Sequence, residues 1–451
     1  MQVPERVRFI CSTLRRAGFE AWVVGGAVRD SILGREAHDF DVATNALPDR
    51  VVRLFSHVIE TGIQHGTVTV MVEDEGFEVT TFRGEGTYSD GRHPDSVEFL
   101  DSITEDLARR DFTMNAVAYD PLRDTFCDPF DGIADIRAKI IRAVGIPRDR
   151  FQEDGLRVMR AIRFMSTLGF SIEYDTLDGI MHSDSLASLA KVSVERVHDE
   201  LFKIMESSCP SRAMDAMRDT GVLGVILPEM LPMIGCTQNR YHSYDVWTHT
   251  MVTLDHCPAD NPILRFGALF HDVSKPEVKG VHPVHGDATF YDHEHVGAKK
   301  TDEILIRLRF STEDRERIVN LVRHHFIRYE RGWAAPVLRR WVRKVGLENV
   351  PTLCILARAD IAGKGPIATV GMETSVIDDL ESRVANMKLT EVIPTSTKVL
   401  VIDGNDVMTH LGLIPGPAVG KVLAALLEFV TDDPECNTRE SLLTLASEVQ
   451  L

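Results

Sequence analysis

The sequence predicts an α+β chain, with strands and helices mixed up to about Ile141 and a mainly helical remainder. Three observations predict it. Ala21-Trp22-Val23-Val24 is an apolar run without a polar break, which reads as a buried strand, and similar short runs recur through the first part. After Pro147 the apolar residues take helical spacing, as in Val194, Val197, Leu201, Ile204 and Met205 behind Ser193, a candidate N-cap. Near the end, Gly412-Leu413-Ile414-Pro415-Gly416-Pro417 is a breaker cluster between helical patterns. At 451 residues the chain is long for one domain. Its shifts of pattern divide it into a head (1–141), a helical neck (142–235), a histidine-rich helical module (236–370) and a helical tail (371–451).

The first element carries chemistry. Gly25 and Gly26 follow the strand and precede a helical pattern opening near Val28, so the backbone can turn and approach a ligand closely. A helix start there presents free N–H groups to anionic oxygens. Asp39-Phe40-Asp41 follows at short range. In an extended segment Asp39 and Asp41 share one face while Phe40 and Val42 face the core. Two carboxylates that close repel unless a cation sits between them, and Mg²⁺ takes carboxylate oxygens together with substrate phosphates. Thr67 to Val72 and Phe77 to Arg83 read as two further strands, turned by Asp74-Glu75-Gly76. Glu78 points away from Phe77 and Val79 and is placed to be a third carboxylate, or else an exposed strand residue.

Further on, Arg110, Asp111 and Asn115 are spaced for a phosphate contact and a ribose contact, or for a capped surface helix. From Glu153 to Phe164 acids open a helical pattern and Arg157, Arg160 and Arg163 recur every third residue. Asp154 and Arg157 then lie along one side. A carboxylate acceptor beside a guanidinium donor matches the amine-plus-ring-nitrogen edge of cytosine and adenine, whereas uracil and guanine present the reverse. A polar pocket rejects the mismatched edge because its own groups stay unpaired.

The histidine-rich module holds His249, the pair His271-Asp272, and Asp360, with His295 and His324 as further candidates. Neutral imidazole with carboxylate binds divalent transition metals and activates water. Leu264, Phe266, Ala268 and Leu269 place His271-Asp272 at the end of an apolar helix. Seven scattered cysteines without Cys-x-x-Cys spacing argue against a zinc ribbon or disulfide frame and suit reduced thiols in the cytoplasm. Neither a bilayer-length apolar run nor a signal-peptide core is expected, so no membrane partner is. The net charge of −18 means that any nucleic-acid contact must be local.

In this order the motifs resemble the class II tRNA nucleotidyltransferases of the DNA polymerase beta superfamily, with bacterial poly(A) polymerases as relatives. The resemblance rests on Gly25 to Asp30 with Asp39-Phe40-Asp41, Arg109 to Ala116, Asp128-Pro129-Phe130-Asp131-Gly132, Glu153 to Phe164, and Arg196 with Glu200. It implies a mixed-sheet nucleotidyltransferase head, a neck, a body with an HD module and a tRNA-contacting tail that includes Gly412 to Pro417 and Gly420-Lys421. The implied activity is template-independent transfer from CTP and ATP to the tRNA 3′ end. Asp39 and Asp41 would hold Mg²⁺ with Glu78 assisting, and Gly25, Gly26 and Arg29 would hold phosphates. Arg110, Asp111 and Asn115 would meet phosphate and ribose. Asp154 with Arg157 would read the base, with Arg160 and Arg163 alongside. His249, His271, Asp272 and Asp360 would hold a divalent transition metal in the HD module.

The glycine-containing loop Arg83 to Pro94 is full length, which disfavours CC-only activity and leaves complete CCA and A-only addition open. Val58 to Gly66 lacks the basic character of poly(A) polymerases, which favours tRNA. Two other readings are an HD phosphohydrolase with an inactive first half, and an RNA-binding scaffold using Arg339-Arg340 and Arg343-Lys344. The sequence does not give an oligomeric state.

Overall fold

In a computed structural model, the chain is described at all residues except 61, 85–98, 367–373, 391–392, 395 and 451. It forms two compact units, Met1–Leu231 and Pro232–Leu451.

The first unit is built on a seven-stranded mixed sheet: β1 (Ala21–Val24), β2 (Asp41–Thr44), β3 (Val58–Ile59), β4 (Thr67–Val72), β5 (Glu75–Thr81), β6 (Ala118–Asp120) and β7 (Thr125–Cys127). Their spatial order is β3-β4-β5-β2-β1-β6-β7. Among the described residues of this sheet only β2 and β5 pair in parallel, in the register Val42 to Val79, while β1 and β2 run antiparallel with Val24 opposite Asp41. The β-branched run of β1 suits a central strand, and Val23 and Val24 are buried. One face is covered by the helix Glu5–Arg16, whose Val7, Ile10, Cys11 and Leu14 form an apolar stripe against Val23, Val42, Val68 and Val79. Val24, Ala43, Phe82 and Leu107 belong to a separate cluster. The turn between β4 and β5 is tighter than the sequence suggests: Glu75 and Gly76 are already strand, and Glu73 bends the chain at φ 56°. The loop read over 83–94 lies, from 85 onward, outside the described residues.

Beyond β7 the unit is helical apart from the short pair Ile140–Ile141 and Ser171–Ile172. Asp128 accepts from the backbone N–H groups of Gly132 (2.7 Å) and Ile133 (2.9 Å), capping the helix Gly132–Ala138. A Cβ on Gly132 would stand 2.1 Å from the Thr113 carbonyl, so glycine alone lets this helix seat against the 3-10 turn Thr113–Asn115. The helix Val194–Met205 forms as its spacing predicts, although Ser193 makes no side-chain cap bond.

The charged stretch from Glu153 to Phe164 is not one helix. Pro147–Glu153 ends at Asp154, which is extended (φ −140°, ψ 103°), and Leu156–Leu168 starts afresh. Long-range packing requires glycine where the second helix starts: a Cβ on Gly155 would lie 2.4 Å from the Ser188 carbonyl carbon and 2.5 Å from the Leu189 nitrogen. Backbone cannot yield as a flexible side chain does. Gly155→Ala is expected to destabilise the folded chain by about 2–3 kcal/mol, read as an earlier urea transition. An unchanged midpoint would contradict this packing.

Among its described residues the second unit is helical apart from the strand pair Gly280–Val281 and Ala288–Thr289. His271 caps the apolar helix Pro262–Phe270, as its sequence predicts. Gly412, at φ 68°, ends the helix Gly404–Leu411, and Pro417–Asp432 follows the breaker cluster. The basic groups weighed as phosphate contacts are engaged at the C-terminal end of that last helix. Arg339 is buried and donates to the carbonyls of Thr431 (2.6 Å) and Asp432 (2.7 Å), while Arg340 pairs with Asp432 and Arg343 with Glu428. They satisfy orphan carbonyls and the negative helix end, which removes the main support for the scaffold reading.

Candidate active site

In the first unit, a cleft of about 560 Å³ gathers Gly25, Gly26, Arg29, Asp41, Glu78, Arg110, Asp111, Asn115, Asp154, Arg157, Arg160 and Arg163. The sheet register builds its acidic side. Asp41 and Glu78 each precede the Val42–Val79 pair on neighbouring strands. Phe40 is buried, as is Val42, while Asp39 is exposed just before β2 and does not line the cleft. Its charge still reaches Asp41. Burial first, then the charges of Glu78 and Asp39, push the Asp41 carboxyl up to about 6, with Arg110 pulling the other way. Carboxylates crowded to that degree suit a bound cation. Gly25 turns beside them at φ 75°, and a Cβ there would meet Arg110 Nη1 and Asp41 Oδ2 at 3.5 Å each.

The basic side is fixed by buried pairs. Arg29 donates from Nη1 to Asn115 Oδ1 (2.8 Å) and forks onto Asp30. Asp111 accepts from Asn115 (3.1 Å) and from Arg160 Nε (2.7 Å). Burial acts to raise the Asp111 carboxyl, but Arg160, Asn115 and Arg157 together bring it down to about 2. Arg110 Nε is buried and has no hydrogen-bond partner among the described residues. Arg163 donates to Glu200 at 2.5 Å.

Asp154 and Arg157 face the same cleft, each held by a neighbour. Both Asp154 oxygens accept from Arg196, at 2.7 and 3.1 Å. Arg157 gives Nη1 to Glu153 (2.8 Å) and the Arg150 carbonyl (3.1 Å), and Nη2 to the Arg109 carbonyl (2.9 Å). A guanidinium has five N–H donors, so Nε and part of Nη2 remain for a ligand. Carboxylate oxygens likewise keep spare lone pairs. Arg196 was legible only as a motif member; it clamps Asp154 at the residue where the helix breaks.

In the second unit, His249, His271, Asp272 and Asp360 converge. His249 and His271 bring their Nε2 atoms to 3.0 Å of each other, and these lie 3.3 and 3.1 Å from Asp272 Oδ2 and 3.1 and 3.7 Å from Asp360 Oδ1. Of the further histidines, the sequence reading was off by small steps. His295 is half exposed beside Glu294, and His324 takes no part in the grouping; the rings at Asp272 belong to His293 and His325. Helix phase decides this, and the His293-Glu294-His295 and His324-His325 runs do not reveal it. Burial, with His271 and His293 alongside, pushes the His325 ring down to about 3.

The comparisons agree along the chain. Residues 21–142 match the poly A polymerase head domain, 169–234 the probable RNA and SrmB-binding site of polymerase A, and 240–362 the HD domain. The chain is 47% identical over 218 residues to the CCA-adding enzyme of Levilactobacillus brevis, covering 48% of this chain and 54% of the relative. It is 46% identical over 222 residues to that of Geobacillus kaustophilus, covering 49% and 54%. The chain thus spans about half the length of the curated relatives it matches. A solved Bacillus stearothermophilus CCA-adding enzyme in complex with CTP is similar with a TM-score of 0.71 at 28% identity, covering 99% of this chain and 98% of that one. A Thermotoga maritima CCA-adding enzyme complexed with tRNA shares the fold (TM-score 0.55, 19% identity, covering 98% and 95%). Both domain types use divalent metal, and the described residues include His/Asp groups able to hold one. The chain is thus similar along its length to CCA-adding enzymes, with a poly A polymerase head domain and an HD domain matched in the order of its motifs.

Proposed function

We propose that the chain adds C and A from CTP and ATP to the 3′ end of tRNA without a template, releasing pyrophosphate. The observation that carries this reading is the convergence, in one cleft, of Asp41 and Glu78 with Asp154 and Arg157. Bound Mg²⁺ would supply charge neutralisation at the triphosphate and activation of the primer hydroxyl. Asp39 and Asp41 would hold it and Glu78 would assist. Gly25, Gly26, Arg29 and Arg110 would orient the phosphates. Asp111 and Asn115 would meet the ribose, with Arg160 fixing Asp111. Asp154 would accept the amine of C or A while Arg157 donates to the ring nitrogen, with Arg163 alongside. The head would span 1–141, the neck 142–235, the HD module 236–370 and a tRNA-contacting tail 371–451. No helix among the described residues is long and apolar enough to cross a membrane, and the cytoplasm is where such an enzyme would work.

Incubating tRNA ending at the discriminator base, at C, or at CC with labelled CTP and ATP tests the reading. Extension of all three means complete CCA addition, and extension of the CC-ended form alone means A-only addition. No label on any of them rejects the reading. Acidity gives a second check. The Asp41 carboxyl sits above its ordinary 3.8, at about 6. The free head therefore gains protons relative to the unfolded chain between those values, its stability falls as pH rises through them, and a cation must displace the proton below about 6. From about pH 6 to about pH 5 the Mg²⁺ needed for half-maximal incorporation is expected to rise roughly fivefold. A flat requirement would remove Asp41 from the cation site.

The clustering of His249, His271, Asp272 and Asp360 supports a second reading, a metal-dependent phosphohydrolase in the HD module. His271→Ala is expected to abolish hydrolysis of a model phosphodiester with incorporation unchanged. An unchanged hydrolytic rate sinks that idea.

A further inference from the structure

We propose that Phe164 is a positioning residue for nucleotide phosphates: its ring gathers the guanidiniums of Arg29, Arg160 and Arg163 and holds them without using their N–H donors. For what fills the cleft the proposal rests on the nucleotidyl-transfer reading above; the packing of three cations on one ring stands apart from it.

Phe164 lies on the helix Leu156–Leu168, where Arg157, Arg160 and Phe164 take the i, i+3, i+7 positions of one face. It is 4% exposed and lines the same cleft as the three arginines. The guanidinium carbon of Arg163 stands 4.0 Å from the ring centroid, that of Arg29 5.2 Å and that of Arg160 5.5 Å. Phe112, itself fully buried, meets the ring in a T-shaped pair with centroids 5.8 Å apart, which fixes its orientation. Arg29 comes from the helix Gly26–Ile32 at the glycine pair, so Phe164 stands where that helix meets the one carrying Arg157.

Three cations this close repel one another, and burial removes the water that would screen them. Burial chiefly pulls the Arg163 guanidinium below its ordinary range; the Arg160 charge adds to this, and Glu200 opposes it. An aromatic face carries negative charge density and attracts such cations, more strongly where they are desolvated.

Carboxylates hold the same arginines at their edges and take donors to do so. Arg29 commits three N–H groups to Asp30 and Asn115, Arg160 two to Asp111, and Arg163 one to Glu200. Of five on each guanidinium, two, three and four are then without a partner among the described residues. Another carboxylate in place of the ring would occupy those groups and cancel the charge the cleft presents. The phenyl face supports the flat side of each guanidinium and leaves the edges to anionic oxygens, the geometry in which arginine meets phosphate. Helix spacing alone sets Arg163 beside the base readers; its stacking on Phe164 groups it with Arg29 among the phosphate contacts.

Binding of inorganic tripolyphosphate, which carries no base and undergoes no transfer, tests this by calorimetry on the full-length chain at constant Mg²⁺. Phe164→Leu is expected to weaken binding about tenfold. Because leucine also changes the packing, a second series replaces Phe164 with phenylalanine carrying one, two or three ring fluorines, which withdraw charge from the face while keeping its shape. Affinity is expected to fall stepwise along that series, by about tenfold at three fluorines, with the melting temperature unchanged. With nucleotides, KM for CTP and for ATP is expected to rise by the same factor while kcat and the preference for CTP over UTP hold, unlike in Arg157→Ala. Equal tripolyphosphate affinity across the fluorinated series, or a wild-type chain that does not bind it, overturns the proposal. Stepwise loss of affinity in a chain that adds no nucleotide upholds the role of Phe164 and rejects the transfer reading alone.

Discussion

Alanine at Asp41 is expected to lower nucleotide incorporation at least about 10³-fold while tRNA binding persists and the fold is no weaker. The second half of that expectation separates a catalytic role from a structural one. Asp41 is part-buried beside like charges, and its raised carboxyl means that ionising it costs the folded state. Removing it relieves that cost, so the melting temperature should hold or rise. Asp39→Ala should lose incorporation comparably, because its charge reaches Asp41 and the proposed cation would draw on both carboxylates. Asp39 is exposed and its removal opens no cavity. Single-turnover incorporation with labelled CTP, alongside thermal melts and tRNA gel shifts, checks all three quantities. Near-normal turnover in either variant would refute the cation assignment.

Arg157→Ala is expected to erase base choice rather than turnover. A site that hydrogen-bonds a base edge rejects the wrong edge by roughly 10⁴–10⁵, since its buried groups would otherwise stay unpaired. Without the guanidinium, the ratio of kcat/KM for CTP over UTP, and for ATP over GTP, should fall below about 10². Lysine should not rescue it. Arg157 forks to Glu153, to the Arg150 carbonyl and to the Arg109 carbonyl, and a point ammonium cannot make those bonds and still present a donor to the base. Arg196→Ala should produce a milder form of the same defect, because it frees Asp154 from its bidentate clamp while leaving the carboxylate in place. Equal discrimination in wild type and Arg157→Ala would move base reading elsewhere.

What was legible in the sequence was local. The apolar run of β1, its glycine pair, the alternation at Asp39 and Asp41, and the apolar helix before His271 each declare themselves within a few residues. What was not legible depends on distant chain. The parallel pairing of β2 with β5 brings Glu78 to Asp41, and neither strand contains that information alone. The helix pattern through Asp154 is continuous in sequence, but the helix breaks there, next to the close approach of Gly155 to the backbone of Ser188 and Leu189. His293 and His325 were missed for His295 and His324, because exposure within a helical turn is set by what packs against it. Arg339 and its neighbours read as a basic face and turn out to serve a helix end.

The central claim is that one cleft runs both the chemistry and the choice of base. Sequencing the 3′ ends of tRNA lacking CCA and of tRNA ending in CC, after incubation with the full-length chain, Mg²⁺ and all four nucleoside triphosphates, tests it most directly. Extended molecules are predicted to carry only C then A, stopping at CCA, or a single A if only CC-ended tRNA is extended. Long adenylate tails, incorporated U or G, or unextended ends on both substrates would contradict it.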